Sequence, residues 1–228
     1  MAFWYSMVKS ILKVYTTLFI EDISVSGMEN VPEGPKIIVA NHPNATDSFL
    51  LPFIFPEQLH FLIQASVFET PIVGRLLAYA GQIPVIAGKS RQALGLAREK
   101  LIQSGSVVIY PEGRLNNDEG LRPGKIGAAL LAAQTEAPIL PLGFYVPPEA
   151  LRVFKRNIEK RTSSSRWQFG GSCFIRVGKP LQIPHTKKTG EHSDALQEFT
   201  ELIMESIGKL VILAKQDARE AEHGFLNR

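Results

Sequence analysis

Between Lys36 and Phe144, five short apolar runs alternate with segments of helical period, and this alternation narrows the possible folds more than any other feature. The runs are Lys36 to Ala40, His60 to Gln64, Ile83 to Ile86, Ser106 to Tyr110 and Ile139 to Phe144. The helical segments start near Thr46 and then cover Ile72 to Ala80, Gln92 to Gln103 and Ile126 to Thr135. Within Gln92 to Gln103, Leu94, Ala97 and Leu101 fall on one side and Arg98 and Lys100 on the other, as on an amphipathic helix. Outside this core, Ile23 to Ser26 and Cys173 to Val177 read as strands and Val31 to Pro35 as a turn. A closing helix spans Leu196 to Ala214, with Leu196, Phe199, Ile203, Ile207 and Leu210 at helical spacing. Strands separated by helices predict an α/β fold with a mostly parallel central sheet flanked by helices.

A chain of 228 residues, 45% hydrophobic and 21% charged, fits one domain with a sizeable core. Cys173 is the only cysteine, which rules out an intramolecular disulfide framework and a cysteine-rich metal site, and it suits a reducing compartment. His60, His185, His192 and His223 are scattered without ligand spacing, so no metal is expected. The net charge of +3 hides a basic section: Arg152 to Lys188 carries ten basic residues against one acid, Glu159. Such a section fits an anionic lipid or phosphorylated partner, or simply a solvated surface. Neither zinc-finger spacing nor an RNA-binding aromatic motif accompanies it, so nucleic acid is not expected.

The longest charge-free stretch, Leu76 to Gly88, is too short to span a bilayer and is broken by Gly81 and Pro84. The first residues, MAFWYSMVKSILKVYTTLFIED, contain Lys9 and Lys13 and no small-residue cleavage site, so they are not read as a signal peptide. At helical period Trp4, Val8, Ile11, Tyr15 and Leu18 form one stripe, opposite Ser6, Lys9, Ser10, Lys13, Thr16 and Thr17. An aromatic stripe opposite a basic polar face suits a helix lying in a membrane interface. The alternative is a helix packed on its own domain. The chain therefore divides into an N-terminal amphipathic helix, residues 1–21, and one domain, residues 22–228, with peripheral attachment to the cytoplasmic face of a membrane as the expectation.

Three polar loops follow apolar strands: Asn41 to Asp47, Gly88 to Arg91, and Pro111 to Asn117. In parallel sheets the site lies beyond the carboxyl ends of the strands, where such loops converge. The first loop, NHPNATD, has two readings. As a capping box, Asn44 caps a helix and the Asp47 carboxylate reaches back to the backbone, leaving His42 without a role. As a catalytic pair, Pro43 breaks the path so that Asp47, in the first helical turn, turns back onto the imidazole. A carboxylate on one ring nitrogen fixes the tautomer and raises the basicity of the other, which makes a general base. No Gly-x-Ser-x-Gly elbow accompanies the pair, so the nucleophile is expected to be a substrate hydroxyl. Glu112-Gly113-Arg114, after the strand at Ser106, offers a carboxylate, a permissive backbone position and a guanidinium suited to phosphate. Lys89 and Arg91 stand at a helix start, where phosphate also binds well. Each of these segments alone is also compatible with an ordinary turn.

Together, His42-x-x-x-x-Asp47, Gly81-Gln-Ile-Pro-Val, Tyr110-Pro-Glu-Gly-Arg and Ala137-Pro-Ile-Leu-Pro-Leu resemble the four ordered blocks of the glycerolipid acyltransferases, including the 1-acyl-glycerol-3-phosphate acyltransferases. The resemblance covers about Ile23 to Phe144, with a tail to Pro184. It implies an acyl chain passing from acyl-CoA or acyl-carrier protein to a lysophospholipid hydroxyl, with 1-acyl-glycerol-3-phosphate the expected acceptor and no cofactor. It also implies His42 as base, Asp47 as its orienting partner, Glu112 and Gly113 in acceptor binding, and a cation after the second block on the acceptor phosphate. Two positions depart from the pattern. Leu115 takes the place usually held by arginine, and Ile86-Ala87-Gly88 intervene before Lys89. A non-phosphorylated lyso-lipid acceptor, and a lipid-binding module without turnover, remain as alternatives. The oxyanion of an acyl transfer would need preorganised donors, placed by this reading near Gly113 or in Pro141-Leu142-Gly143.

Overall fold

The computed structural model describes residues 2–116, 120–158, 161–183 and 193–226. Asn117, Glu159, Lys160, Pro184, Lys187 and Lys188, with His185 and His192, lie outside the described residues. In chain order the elements are α1 (Ala2–Phe19), β1 (Asp22–Ser26), β2 (Ile37–Ala40), α2 (Asp47–Ile54), β3 (Leu59–Gln64), α3 (Ala65–Phe68), α4 (Val73–Tyr79) and β4 (Ile83–Val85). There follow α5 (Ser90–Ile102), β5 (Ser106–Ile109), α6 (Gly127–Thr135), β6 (Ile139–Tyr145), β7 (Leu151–Ile158), β8 (Arg161–Gln168), β9 (Ser172–Val177) and α7 (Ser193–Leu226).

Seven strands form one sheet in the order β1-β9-β6-β2-β5-β3-β4. From β6 to β4 every pair is parallel, whereas β9 runs antiparallel to β6 and carries β1 parallel beside it. The mostly parallel sheet expected from the alternation is therefore present. Ile37, Ile38, Val39 and Ala40 of β2 are all fully buried, as a central strand covered on both faces requires. Successive side chains serve opposite cores. Ile38 and Ala40 pack with Leu50 and Leu51 of α2 and with Phe55 just after it, while Ile37 and Val39 pack with Ala97, Leu131, Ile203 and Ile207 of α5, α6 and α7. Gly143 lets α7 close on the sheet: a Cβ there would lie 2.4 Å from the Leu210 carbonyl carbon.

Three elements differ from the sequence reading. The basic section holds an antiparallel ribbon, β7 with β8, registered from Leu151↔Gln168 to Ile158↔Arg161. Its residues give no alternation of apolar and polar side chains, so it carries no strand signal. The short α3 precedes α4, and α7 runs past Ala214, with only the small Ala214 and Ala218 carrying its buried stripe onward.

The N-terminal stripe is corrected. Its apolar arc is wide, and the two halves of the arc do different things. Trp4 stacks on Tyr79 at 4.9 Å, Tyr5 accepts the Leu59 N–H at 3.2 Å, and Tyr15 donates its hydroxyl to the Gln168 carbonyl. Phe3, Ile11, Val14 and Leu18 instead face outward, exposed by 72, 53, 60 and 69%. Among the described residues no helix is long and apolar enough to cross a membrane.

Candidate active site

The site begins where β2 ends. Asn41 is buried, and its amide continues the β2–β6 ladder by one step: Nδ2 donates to the Phe144 carbonyl at 2.9 Å and Oδ1 accepts the Phe144 N–H at 2.7 Å. That pins the start of the loop. Pro43 then turns the chain away, and α2 opens at Asp47, the first helical residue after Thr46. His42 Nδ1 lies 2.9 Å from Asp47 Oδ2, with side chains 18% and 0% exposed respectively.

The capping-box reading is only a fragment of what the loop does. Asn44 Oδ1 accepts the Thr46 N–H at 2.9 Å and the Thr46 hydroxyl at 2.6 Å, closing a turn rather than capping α2. The Asn44 N–H reaches Asp47 Oδ2 only at 3.5 Å, the outer limit of a hydrogen bond. Asp47 is spent on the imidazole.

Tyr110 closes the other side of the pair. Its ring stacks on the His42 ring at 3.9 Å and 11°, and its hydroxyl donates to Asp47 Oδ1 at 3.2 Å. The Ser48 hydroxyl donates to the same oxygen at 3.2 Å and lies 2.9 Å from the Tyr110 hydroxyl. Burial, reinforced by the Asp47 charge, holds the Tyr110 phenol well above the usual tyrosine range, so it stays a donor. Sequence reasoning missed both residues. The available signal was a tyrosine ending an otherwise aliphatic strand run, directly before Pro-Glu-Gly.

The loop after β5 wraps the loop after β2. Glu112, 4% exposed, accepts the His42 N–H at 3.1 Å, the Asn116 amide at 2.6 Å and the Arg122 N–H at 3.0 Å. The Asn116 N–H donates to the His42 carbonyl at 2.8 Å. Glu112 thus holds the backbone on which His42 sits. Beside it opens a cleft of about 490 Å³ lined by Glu112, Arg114, Arg122, Pro123 and Lys125. Gly113, at φ 72°, makes room for the Lys125 ammonium, which a Cβ would meet at 2.5 Å. Lys125 and Arg122, absent from the sequence reading, join Arg114 there.

Two sequence-based placements change. The Gly113 N–H is donated to the Tyr110 carbonyl at 2.9 Å, and Gly143 packs against α7 inside the sheet. The structure therefore does not set oxyanion donors at those glycines. Lys89 and Arg91 are exposed at the start of α5, after the edge strand β4. β4 is three strands from β2, about 14 Å between strand axes, and neither residue lines the cleft.

Cys173 is fully buried, and burial drives its thiol far above the usual range, so it is no nucleophile. Fold and site define an α/β protein with a histidine paired to a buried carboxylate, at the carboxyl end of a parallel sheet and beside a cationic cleft. The chain belongs to the acyltransferase family, whose model matches residues 22–145, more than half of its length. It is 27% identical over 193 residues to a 1-acyl-sn-glycerol-3-phosphate acyltransferase of Saccharomyces cerevisiae, a match covering 82% of this chain and 58% of that protein. With the enzyme of the same name from Bacillus subtilis it shares 26% identity over 185 residues, 77% of this chain and 85% of the other. The chain thus spans little more than half the length of the yeast relative. The crystal structure of the 1-acyl-sn-glycerophosphate acyltransferase PlsC from Thermotoga maritima superposes with a TM-score of 0.65 at 21% identity, over 93% of this chain and 78% of that one. That likeness is one of fold.

Proposed function

We propose that the chain moves a fatty acyl group from an acyl thioester, acyl-CoA or acyl-carrier protein, to the hydroxyl of 1-acyl-glycerol-3-phosphate, giving phosphatidic acid. The observation that carries this reading is the His42–Asp47 pair standing beside a cleft rich in cations. His42 Nδ1 points its proton at Asp47, which leaves Nε2 to accept one. Nε2 takes the acceptor's hydroxyl proton as that oxygen attacks the thioester carbonyl. On collapse the C–S bond breaks, and the imidazolium returns the proton to the departing thiolate. General-base help of this kind contributes about 10²–10⁴ to the rate. Arg114, with Arg122 and Lys125, is suited to the acceptor phosphate, where a guanidinium and an ammonium supply both fork and point charge. Lys89 and Arg91, the other cations singled out by sequence, are less suited because they follow the edge strand β4 and do not line the cleft.

The acceptor is tested by comparing 1-acyl-glycerol-3-phosphate with its dephosphorylated counterpart, 1-acylglycerol, in the wild type and in Arg114→Gln and Lys125→Gln. Both substitutions should raise the KM for the phosphorylated acceptor, or lower kcat if the contact tightens in the transition state, and leave 1-acylglycerol unaffected. Equal use of the two acceptors by the wild type would move the reading to a non-phosphorylated lyso-lipid. The outward stripe of α1 supports attachment to a membrane surface, where a lyso-lipid acceptor resides. The cytoplasmic face is the expectation because that is where the soluble thioester donor is met.

A further inference from the structure

We propose that the β7–β8 ribbon is a second docking arm, which sets Phe154 into an anionic lipid surface while the cations beside it, Arg152 and Lys155, meet its headgroups. The acyltransferase reading enters here only in making the substrates lipids. The ribbon lies outside the seven-stranded sheet. Val153 is 57% and Phe154 51% exposed, and as consecutive strand residues they point to opposite faces. Phe154 leans on the Trp167 and Phe169 rings at 6.5 and 5.8 Å, and about half of it is left in water. Arg152 and Lys155 flank them and are exposed as well.

Charge names the occupant. From Arg152 to Arg166 the sequence has six basic residues against one acid, Glu159. Apolar side chains bordered by cations match an anionic bilayer, where each basic residue adds to the attraction and the apolar ones enter the acyl boundary. The patch is also continuous with the outward stripe of α1. The Phe154 ring lies 5.8 Å from that of Phe169, which lies 4.9 Å from that of Phe19, next to the exposed Leu18. One surface thus runs from α1 onto the ribbon.

The base of the ribbon holds the catalytic loop. The Ala45 N–H donates to the Arg166 carbonyl at 2.8 Å, and the Gln168 N–H donates to the Thr46 hydroxyl at 3.3 Å. An arm fixed in the headgroup layer would therefore set the height of the His42–Asp47 pair above the lipid.

The test is sedimentation of the full chain with vesicles of phosphatidylcholine and phosphatidylglycerol in equal amounts, and with phosphatidylcholine alone. Arg152→Gln/Lys155→Gln should lower partition onto the anionic vesicles by about tenfold or more and leave the neutral ones unchanged. Phe154→Ser should lower both. Turnover of a short-chain acceptor dispersed in detergent should stay at the wild-type level in all variants, which separates loss of docking from loss of chemistry. If the variants partition like the wild type, the ribbon is a solvated surface and the proposal is overturned. Unchanged partition together with a raised KM for acyl-carrier protein would overturn it in favour of a donor dock. A wild type that binds vesicles through the ribbon yet transfers no acyl group would remove the acyltransferase reading and leave the docking arm standing.

Discussion

Asp47 is fully buried, and a buried carboxylate stays charged only if its oxygens are met by donors. Oδ2 faces the imidazole, while Oδ1 takes the hydroxyls of Tyr110 and Ser48. Those two hydroxyls hold Oδ1 and so fix the carboxylate against the imidazole. Tyr110→Phe keeps the ring stacked on His42 but removes one donor, and kcat/KM should fall about tenfold with an unchanged circular dichroism spectrum. Ser48→Ala should act in the same direction. Wild-type kcat/KM in both variants would show that the hydroxyls do no more than fill space. Of these four residues, His42 and Asp47 were legible because the six-residue loop between β2 and α2, with one proline, brings them together locally. Tyr110 was not, because its contact depends on β5 lying beside β2, a long-range fact, and Ser48, though next to Asp47, shows its part only where its hydroxyl meets that of Tyr110.

At the scale of elements, α1 carries two apolar faces with separate duties. The inner one, through Trp4, Tyr5 and Tyr15, ties the helix to α4, β3 and the end of β8. The outer one, Phe3, Ile11, Val14 and Leu18, touches solvent. Ile11→Ser/Val14→Ser/Leu18→Ser should reduce partition onto anionic vesicles by about tenfold or more while hardly moving Tm. Trp4→Ala should do the reverse, costing about 2 kcal/mol of stability through the lost stack on Tyr79. Equal effects of the two variants on vesicle binding would contradict the division. Sequence periodicity found the helix but centred its stripe in the middle of a broad arc, since spacing alone does not say which edge of the arc meets protein. The buried strands β2, β5 and β6 were legible because aliphatic runs of that length, between helical segments, have few other places to go. The β7–β8 ribbon, rich in serine and basic residues, has no apolar alternation in its sequence to announce it.

For the molecule as a whole, the parallel sheet places the ends of β2 and β5 side by side, and everything chemical follows from the two loops that leave them. One loop carries His42, the other the cations, and Glu112 joins the two. The antiparallel β9 with β1, and the long α7, complete the two cores and position no residue of the dyad. The central claim is that His42, oriented by Asp47, is the base of an acyl transfer. The direct measurement is product formation from palmitoyl-CoA, or palmitoyl-carrier protein, and 1-acyl-glycerol-3-phosphate by the wild type, His42→Ala and Asp47→Asn, with circular dichroism on each. The account predicts transfer by the wild type, losses of about 10²–10⁴ in both variants, and unchanged spectra. Near wild-type transfer by His42→Ala would contradict it.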